Sequence, residues 1–492
     1  MTRHSGGLKS RRLSSGSLKT RTAKAVAWTV LARMLRAAVQ VGYLLILARA
    51  MPPPLFGAVV IGMIAHQLIA VLCTETVQQS LVHAHHRSDA SQNAGFLIHL
   101  ALCLVSALVI ALSGPALAVV MVIPSLNWLL PALAVGALLA VPTCLPAARL
   151  VSDMRLDRLA LIETAATVVS GIAAMAVALS GFGLASLLVF SLGMRGLEAL
   201  GLAMSSPWRP KGRFEPAAAR TVMRFTGPLI GVQATQFASN SIDQFFVGRI
   251  LGAQALGLYG LARRLAQQPA QMLAFAVGRA SFPALVLARD TNIEASAKSF
   301  LVLIRGAFWA STAAFALAAA LSDPLLRATV GDAWAPAGPI VAAFCVSAAL
   351  MPAGAVAGAM LRAAGRTDWQ FHADMLRLLA LVAALSIGLY LKLNAIEVAW
   401  LINGVNLLHF FLNISLSGIA SKISVTSTLT ELMRGFAPTL LAIVVAVLMR
   451  SVAMPEHEGE AFWGSTGAGI LAWGMGSVLL NVDIVRRLLL MS

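Results

Sequence analysis

Four arginines within long apolar stretches are the residues best suited to bind a ligand. Arg33 and Arg36 lie one helical turn apart, and Arg263 and Arg264 are adjacent. A guanidinium group keeps its charge and offers a planar fork of N–H donors that matches the oxygens of a phosphate group. A bare diphosphate in a low-dielectric medium is prohibitively costly without such counter-charges. We therefore interpret the four arginines as a hypothetical phosphate site, in which at most one of Arg263 and Arg264 faces the ligand.

Uncharged amides and two acids form a second group of polar residues within apolar segments. In the apolar segment at residues 221–247, the seventh along the chain, the polar residues are three to four positions apart and would lie on one face of a helix. Amide groups donate and accept hydrogen bonds and therefore suit sugar hydroxyls. The residues predicted to line a glycan cavity are Gln233, Gln236, Asn240, Asn403 and Asn406. The acids Glu75 and Asp243 are candidates for coupling to an ion.

These residues also have a purely structural interpretation. Arg33 lies only about two turns into its predicted helix and could reach back to the headgroups. Glu75 and Asp243 could form ion pairs with residues of neighbouring helices. The asparagines of the twelfth apolar segment, residues 395–418, could form hydrogen bonds that hold helices together. Asp374 and Arg377 are i, i+3 neighbours that could neutralise each other. The sequence leaves both interpretations open.

The histidines and cysteines do not follow a metal-binding pattern. His83, His85 and His86 are close together, but they occupy a short polar loop with no cysteine nearby, which favours a solvated loop. His409 stands alone in an apolar segment, which favours a hydrogen-bonded core histidine over a proton carrier. The four cysteines lack the spacing of metal ligands or a disulfide framework. Walker A, HExxH and nucleophile-elbow motifs are absent, so we expect no cofactor, no metal and no enzymatic activity.

The composition indicates the environment of these residues. Hydrophobic residues make up 59% of the 492 residues, charged residues make up 12%, and the mean hydropathy is +0.82. A soluble domain has about 25% charged residues. The formal net charge of +17 lies in a tail and in short loops rather than on one face, which argues against nucleic acid as a partner. The chain is therefore expected to lie in a lipid membrane.

The apolar runs predict an all-α polytopic membrane protein with about 14 transmembrane helices. Charge clusters, prolines and glycines mark the boundaries between the runs. The predicted helices span residues 25–49, 57–81, 94–113, 128–150, 159–180, 184–204, 221–247, 255–284, 297–320, 337–363, 370–391, 395–418, 432–453 and 462–482. Residues 1–24 are predicted to be a disordered basic tail without a cleavable signal peptide.

The distribution of basic residues predicts the orientation of these helices. With the N-terminus in the cytoplasm, about 25 lysines and arginines fall on the inner side and about 5 on the outer side. Basic segments at both ends of the chain then require an even number of spans. Both termini are expected to be cytoplasmic.

A weak internal repeat indicates two similar halves. Arg49 is followed by a turn and by Gly57 at the start of the next helix. Arg249 is followed in the same way, at the same spacing, by Gly257. Each motif comes directly after a predicted helix, the first or the seventh.

A second repeated pair has the same order along the chain. The segments that begin at Arg155 and Arg366 share an Arg-x-Asp pattern, and each is followed by an acid, Glu163 or Asp374. Duplicated halves around a midplane site are typical of transporters. We therefore predict two pseudo-symmetric six-helix lobes around a central cavity, followed by two further helices. The predicted boundaries are 1–24 for the tail, 25–204 for the N-lobe, 205–220 for a cytoplasmic linker, 221–418 for the C-lobe and 419–492 for the last two helices with a short tail.

Several short motifs resemble a known family. The sequence NSIDQFFVGR at 240–249, continued by LGAQALGLY at 251–259, resembles the region between the seventh and eighth helices of bacterial polysaccharide transporters. These belong to the multidrug/oligosaccharidyl-lipid/polysaccharide exporter superfamily. LARAMPPPLFG at 47–57 is similar to the family's turn after the first helix. Phe282 with Pro283, GDAW at 331–334 and LRAAGRTD at 361–368 follow in the expected order.

The resemblance implies a flippase rather than an enzyme. Such a protein moves polyprenyl-diphosphate-linked oligosaccharide repeat units across the bacterial inner membrane by alternating access, for exopolysaccharide, O-antigen or capsule synthesis. Membrane lipids, a glycan polymerase and a chain-length regulator are the further partners expected. The chain departs from the family pattern in having three prolines in the first turn, where one is usual, and Glu75 where relatives often have aspartate.

Two other functions stay open at this point. A multidrug transporter of the same fold would export organic cations, but the excess of arginines over acids argues against a cationic ligand. A membrane-embedded glycan polymerase or ligase would be expected to have a large extracytoplasmic loop with catalytic residues. The longest predicted outer loops, at 113–127, 321–336 and 454–461, are short and sparsely charged.

Overall fold

The structure is a computed structural model that describes residues 15–75, 78, 81, 89–153, 155–205, 215–452, 466 and 469–477. These residues are predominantly helical, and this part of the chain contains no strand. The helices are α1 (Ser15–Ala50), α2 (Pro53–Ile69), α3 (Asp89–Val120), α4 (Leu126–Leu139), α5 (Cys144–Ser152), α6 (Leu156–Leu179), α7 (Gly183–Ser205), α8 (Pro216–Ile250), α9 (Gly252–Thr291), α10 (Ile293–Ala320), α11 (Ser322–Thr329), α12 (Gly338–Ala363), α13 (Thr367–Tyr390), α14 (Ala395–Ala420) and α15 (Val425–Val452). A π-helical stretch, Ala70–Glu75, extends α2, and a 3-10 helix, Asp332–Ala337, precedes α12.

The predicted all-α membrane fold is confirmed. Within the described residues, 11 helices are long and apolar enough to cross a membrane, or 12 if the bent pair α4 and α5 forms one span. The polar helix α8 is not among them, and most of the predicted fourteenth helix lies outside the described residues. A total of 14 spans is therefore compatible with the structure. Helix α1 begins at Ser15, earlier than the predicted start at residue 25.

Local sequence signals explain several helix boundaries that position the later site. Gly252 has a φ of +86°, a left-handed conformation that favours glycine, and it separates α8 from α9 by a sharp turn. Asn394 caps α14: its side chain accepts from the backbone of Glu397, whose carboxylate accepts from the Asn394 backbone. Between α4 and α5 the axis bends by 45°, next to Pro142, which has no backbone N–H to donate.

The packing of helices repeats in the two halves of the chain. Helix α1 packs on α6, which packs on α7, and in the same order α8 packs on α13, which packs on α14. The two halves meet mainly where α2 packs against α9, and α9 packs in turn on α12. Buried apolar residues of α2, α9 and α12 belong to one large core cluster. Across this cluster, α1 and α2 of the first half lie opposite α8 and α9 of the second half.

The two glycines of the internal repeat meet where α2 crosses α9. A Cβ atom on Gly57 would lie 2.5 Å from the carbonyl oxygen of Ala253. A Cβ atom on Gly257 would overlap the carbonyl oxygen of Pro53. Because both obstacles are backbone atoms, only glycine allows the helices to approach this closely. The repeated motifs thus form a close contact between the two halves.

Side chains around the crossing strengthen this contact. Trp334 is 1% exposed, and its indole Nε1–H donates to the carbonyl oxygen of Ala48 over 2.9 Å. Its ring packs edge-on against Phe56, with 5.1 Å between the ring centroids. Arg49 donates to the carbonyl oxygen of Thr329 over 3.3 Å. The end of α1, the start of α2 and the segment before α12 are therefore joined at this end of the molecule.

Substitution of Gly257 by alanine tests the close contact. We expect Gly257→Ala to lower the melting temperature of the purified protein in detergent, because the added methyl group must displace backbone atoms. Overpacking of this kind typically destabilises by about 1–3 kcal/mol. The control is Gly404→Ala, since Gly404 is exposed on α14 and a Cβ there would meet no atom within 4 Å. Equal melting temperatures for the two variants would contradict the proposed steric role.

Candidate functional site

Two adjoining hollows lie between the halves of the chain. Their volumes are about 280 and 530 Å³, and both are lined by Gln40, Ala70, Gln268 and Gln271. Residues of α1, α2, α6, α7, α8 and α9 contribute to the walls. We treat the two hollows as one central cavity. The four predicted phosphate-binding arginines all line it.

Arg263 is held by a buried ion pair. Its Nη1 atom lies 2.5 Å from Oδ1 of Asp243, and the two side chains are only 9% and 3% exposed. Tyr259 donates its hydroxyl hydrogen to the other carboxylate oxygen of Asp243 over 2.7 Å, and the Nε–H of Arg263 donates to Gln267 over 3.0 Å. A buried charge needs such a partner and such hydrogen bonds. Asp243, predicted as an ion-coupling acid, is therefore part of a structural pair between α8 and α9.

Arg264 differs from its neighbour because no ion pair with another described residue involves it. It lines the smaller hollow, and its buried Nε–H has no hydrogen-bond partner. Unpartnered buried donors are rare in folded proteins, and a fixed charge makes this one more unusual. Both Arg263 and Arg264 line the cavity, and the expectation that at most one of them faces the ligand stays a prediction. Adjacent residues on a helix can reach the same hollow because their side chains are long and flexible.

The larger hollow contains two further ion pairs. Arg36 of α1 forms an ion pair with Glu163 of α6. Arg195 and Glu198 of α7 form a second pair, with 3.0 Å between Nη1 and Oε2. Neither Arg195 nor Glu198 was predicted as a site residue from the sequence. Their spacing of three positions in an apolar helix was the signal that could have identified them.

Arg33 lines the larger hollow beside an aromatic ring. Its guanidinium carbon lies 3.7 Å from the ring centroid of Phe275 on α9. Such a cation–π contact stabilises a charge without neutralising it. The side chain of Arg33 thus faces the cavity and does not extend back toward the lipid headgroups. Among the described residues, with Asp243 included, five guanidinium groups and three carboxylates surround the cavity, so the net charge of these eight groups is positive.

Amide side chains cover much of the remaining wall. Asn240, predicted from the sequence, lines the smaller hollow. The other described amides that line one or both hollows were not predicted as site residues, and they are Gln40, Gln67, Gln78, Gln244, Gln267, Gln268 and Gln271. Arg264, Gln267, Gln268 and Gln271 follow helical spacing along α9, so a search for polar stripes could have found them.

Four of the predicted glycan residues lie outside this lining. Gln236 is exposed on α8, and Gln233 is also absent from the cavity wall. Asn403 donates to the carbonyl oxygen of Ala343 over 2.6 Å, an interhelical contact. Asn406 accepts a hydrogen bond from Arg377 over 3.1 Å. The spacing indicated a polar face but could not show which neighbour covers it.

Arg377 and Asp374 do not form the ion pair that their spacing suggested. Asp374 instead accepts from Nε2 of His409, at 3.0 Å, and Asn413 lies 2.9 Å from the same nitrogen. His409 is thus hydrogen-bonded, as expected from its position in an apolar segment. These residues form a second polar cluster between α13 and α14.

The remaining sequence predictions concern metals and one acid. No group of three or more histidine, cysteine or acidic residues could hold a metal ion within the described ranges. All four cysteines are buried and free. The side chain of Glu75 and the residues His83, His85 and His86 lie outside the described part of the structure.

Comparison with known proteins identifies the family. A model of the polysaccharide biosynthesis protein family matches residues 46–339, more than half of the chain. The chain belongs to this family. A curated relative, the succinoglycan biosynthesis transport protein ExoT of Rhizobium meliloti, is 24% identical over 477 residues, covering 95% of this chain and 94% of that protein. The resemblance predicted from the short motifs is thereby confirmed.

Solved structures show the same fold. Lipid II flippase MurJ in an inward closed conformation has a TM-score of 0.73 at 15% identity, covering 94% of this chain and 100% of the other. A multidrug resistance MATE family transporter of the MOP superfamily, inward-facing, has a TM-score of 0.61 at 14% identity, covering 82% and 99%. At these identities the likeness concerns the fold alone.

The buried pair between α8 and α9 gives a stability prediction. We expect Asp243→Asn to lower the free energy of unfolding by about 3–5 kcal/mol, because it leaves Arg263 buried without its counter-charge. Thermal unfolding of the purified protein measures the loss. The double variant with Arg263→Gln should lose much less than the sum of the single changes, since neither charge is then left alone. Strictly additive losses would argue against a coupled pair.

Proposed function

We propose that this protein is a flippase for polyprenyl-diphosphate-linked oligosaccharides in the bacterial inner membrane. The family match, the relative named as a succinoglycan transport protein and the fold of the named flippase support this class of function. The observation on which the proposed substrate rests is Arg264, a guanidinium group that lines the central cavity and has no ion-pair partner in the described part of the chain. A fixed, uncompensated positive charge suits an anionic ligand.

The diphosphate is proposed to bind first at Arg264. Arg263 is already neutralised by Asp243, whereas Arg36 is paired with Glu163 and Arg33 rests on Phe275. Each of these three arginines can contribute only by exchanging or sharing its present partner. Arg264 needs no such exchange. It is therefore the expected primary anchor, with Arg33, Arg36 and Arg263 as secondary contacts.

The glycan is proposed to occupy the amide-lined part of the cavity. Gln40, Asn240, Gln267 and Gln271 present donors and acceptors to the same space as Arg264. Neutral amides match sugar hydroxyls without demanding a particular charge on the sugar. The prenyl tail would stay in lipid between the halves. This arrangement requires no chemical step, which fits a transporter rather than an enzyme.

Alternating access would exchange the open and closed ends of the cavity. With both termini cytoplasmic, the crossing at Gly57 and Gly257 lies at the outer end of the helices. Arg33 and Phe275 then lie toward the cytoplasm, where the substrate is expected to enter. Opening the glycine crossing would release the substrate to the outer side. A glycan polymerase and a chain-length regulator would act on it there.

Neutralisation of Arg264 tests the substrate anchor. We expect Arg264→Gln to weaken binding of a polyprenyl diphosphate by roughly 10- to 100-fold, because charge-assisted hydrogen bonds contribute about 1.5–3 kcal/mol. Binding of farnesyl diphosphate to the purified protein by isothermal titration calorimetry measures the effect. The matched control is Arg249→Gln at the exposed end of α8, which should bind as the unmodified protein does. Unchanged binding in Arg264→Gln would contradict the proposed anchor.

Deletion of the gene tests the direction of transport in cells. We expect lipid-linked single repeat units to accumulate on the cytoplasmic leaflet, because they are made there and cannot cross. Leaflet-specific enzymatic labelling of the lipid-linked glycan measures their location. Accumulation on the outer leaflet would indicate a polymerase instead. Loss of cationic dye export with no change in surface glycan would indicate multidrug efflux.

A further inference from the structure

One aromatic ring of the larger hollow is contacted by two arginines. The guanidinium carbon of Arg33, on α1, lies 3.7 Å from the ring centroid of Phe275, and that of Arg279, on α9, lies 5.5 Å from the same centroid. Arg33 and Phe275 line the larger hollow. A cation–π contact stabilises a guanidinium group but leaves its charge intact. Two positive charges from two different helices therefore meet at one ring.

Arg279 has no acidic partner among the described residues. It is exposed on α9, and no ion pair with another residue of the described ranges involves it. The carboxylates in the described lining of the larger hollow are already paired with other arginines, Glu163 with Arg36 and Glu198 with Arg195. Like charges that lie close together repel each other, and an anion bound between them relieves this repulsion. The charge at the ring thus suits an anionic ligand from outside the chain.

A row of polar and aromatic residues joins this ring to the proposed anchor. These residues follow one another at steps of three or four positions and so lie on one face of α9, and they are Arg264, Gln268, Gln271, Phe275 and Arg279. Gln268 and Gln271 line both hollows, and Arg264 lines the smaller one. At a rise of about 1.5 Å per residue, Arg279 lies roughly 22 Å from Arg264 along the helix axis. The row therefore extends from an exposed arginine into the central cavity.

The exposed end of this row lies toward the cytoplasm in the predicted orientation. Helix α9 begins at Gly252, next to the glycine crossing at the outer end of the molecule, and it ends at Thr291. Arg279 therefore lies between the cavity and the cytoplasmic end of α9. A lipid-linked glycan that is made in the cytoplasm would meet Arg279 before it meets Arg264.

We infer that Arg33, Phe275 and Arg279 form an outer anion site, which captures the phosphate groups of the lipid-linked substrate before they reach Arg264. The ligand class is a diphosphate or a phosphate ester, because each guanidinium group offers a planar fork of donors to phosphate oxygens. The shared ring keeps the two forks close together, and the glutamines of α9 form the wall along which the group moves inward. The inference deepens the proposed function and rests on it, since it assigns an entry step to the same substrate.

The test separates the rate of association from the rate of dissociation, because a charge on the entry route acts mainly on the former and a contact in the final site on the latter. Stopped-flow fluorescence measures both rates for geranyl diphosphate with a methylanthraniloyl fluorophore on its prenyl end, bound to the full-length protein in phosphatidylcholine nanodiscs. We expect Arg279→Gln to slow association roughly fivefold at low ionic strength, with dissociation unchanged. The difference should shrink at high salt, which screens exposed charges. Arg279→Lys keeps the charge and should restore most of the rate, whereas Arg264→Gln should speed dissociation.

The matched control is Arg366→Gln. Arg366 is also an exposed arginine beside an aromatic ring, with its guanidinium carbon 4.7 Å from the centroid of Trp369, but neither residue lines either hollow. This variant loses the same charge as Arg279→Gln, and it should associate with the ligand at the rate of the unmodified protein.

An association rate for Arg279→Gln as fast as that of the control would overturn the inference and leave the flippase proposal in place. If this result came with fewer co-purified phosphatidylglycerol molecules in native mass spectrometry, the two arginines would bind a membrane phospholipid instead of the substrate. Absence of diphosphate binding by the unmodified protein would overturn both proposals. Thermal unfolding of each variant distinguishes these results from misfolding.

Discussion

The dominant constraint on this protein is the placement of fixed charge in a medium that cannot solvate it. Burying an unpaired ion costs several kcal/mol or more, so each buried charge requires a partner. Arg263 meets this requirement through Asp243, Tyr259 and Gln267, and Arg36 meets it through Glu163. The pairs also fix the spacing of α8 against α9 and of α1 against α6. Against this background, the uncompensated charge of Arg264 distinguishes the cavity from a structural core.

The duplicated architecture separates mechanical from chemical roles. Where the halves must touch, the repeat keeps the same residue type, and Gly57 and Gly257 allow two backbones to meet. Where the halves face the polar clusters, the repeat has diverged: Glu198 corresponds to His409 and Arg195 to Asn406. A common fold therefore holds arginine–glutamate ion pairs in one half and a histidine–aspartate contact in the other.

The fold is shared by a protein named as a lipid II flippase and by multidrug transporters, so it does not decide the substrate. We base the proposed substrate on the lining of the cavity. In the ranges that the structure describes, five guanidinium groups outnumber three carboxylates, and glutamines fill most of the polar wall between them. An organic cation would meet repulsion from this lining, whereas a diphosphate with an attached glycan finds both counter-charge and neutral hydrogen-bond partners.

The sequence by itself determined the membrane fold and the approximate helix positions, and it singled out four arginines as candidates for the cavity. Composition and hydrophobic run length are local properties, and an arginine within an apolar run must turn away from lipid whatever the neighbouring helices are. The sequence could not decide which partner each polar residue finds. Asn403 and Asn406 have the same spacing as cavity residues, yet they contact Ala343 and Arg377. Asp374 neighbours Arg377 along its helix but pairs with His409, because helix packing brings residues distant in sequence closer than residues on adjacent turns. Only the tertiary structure determines these pairings, and they decide which charges remain free.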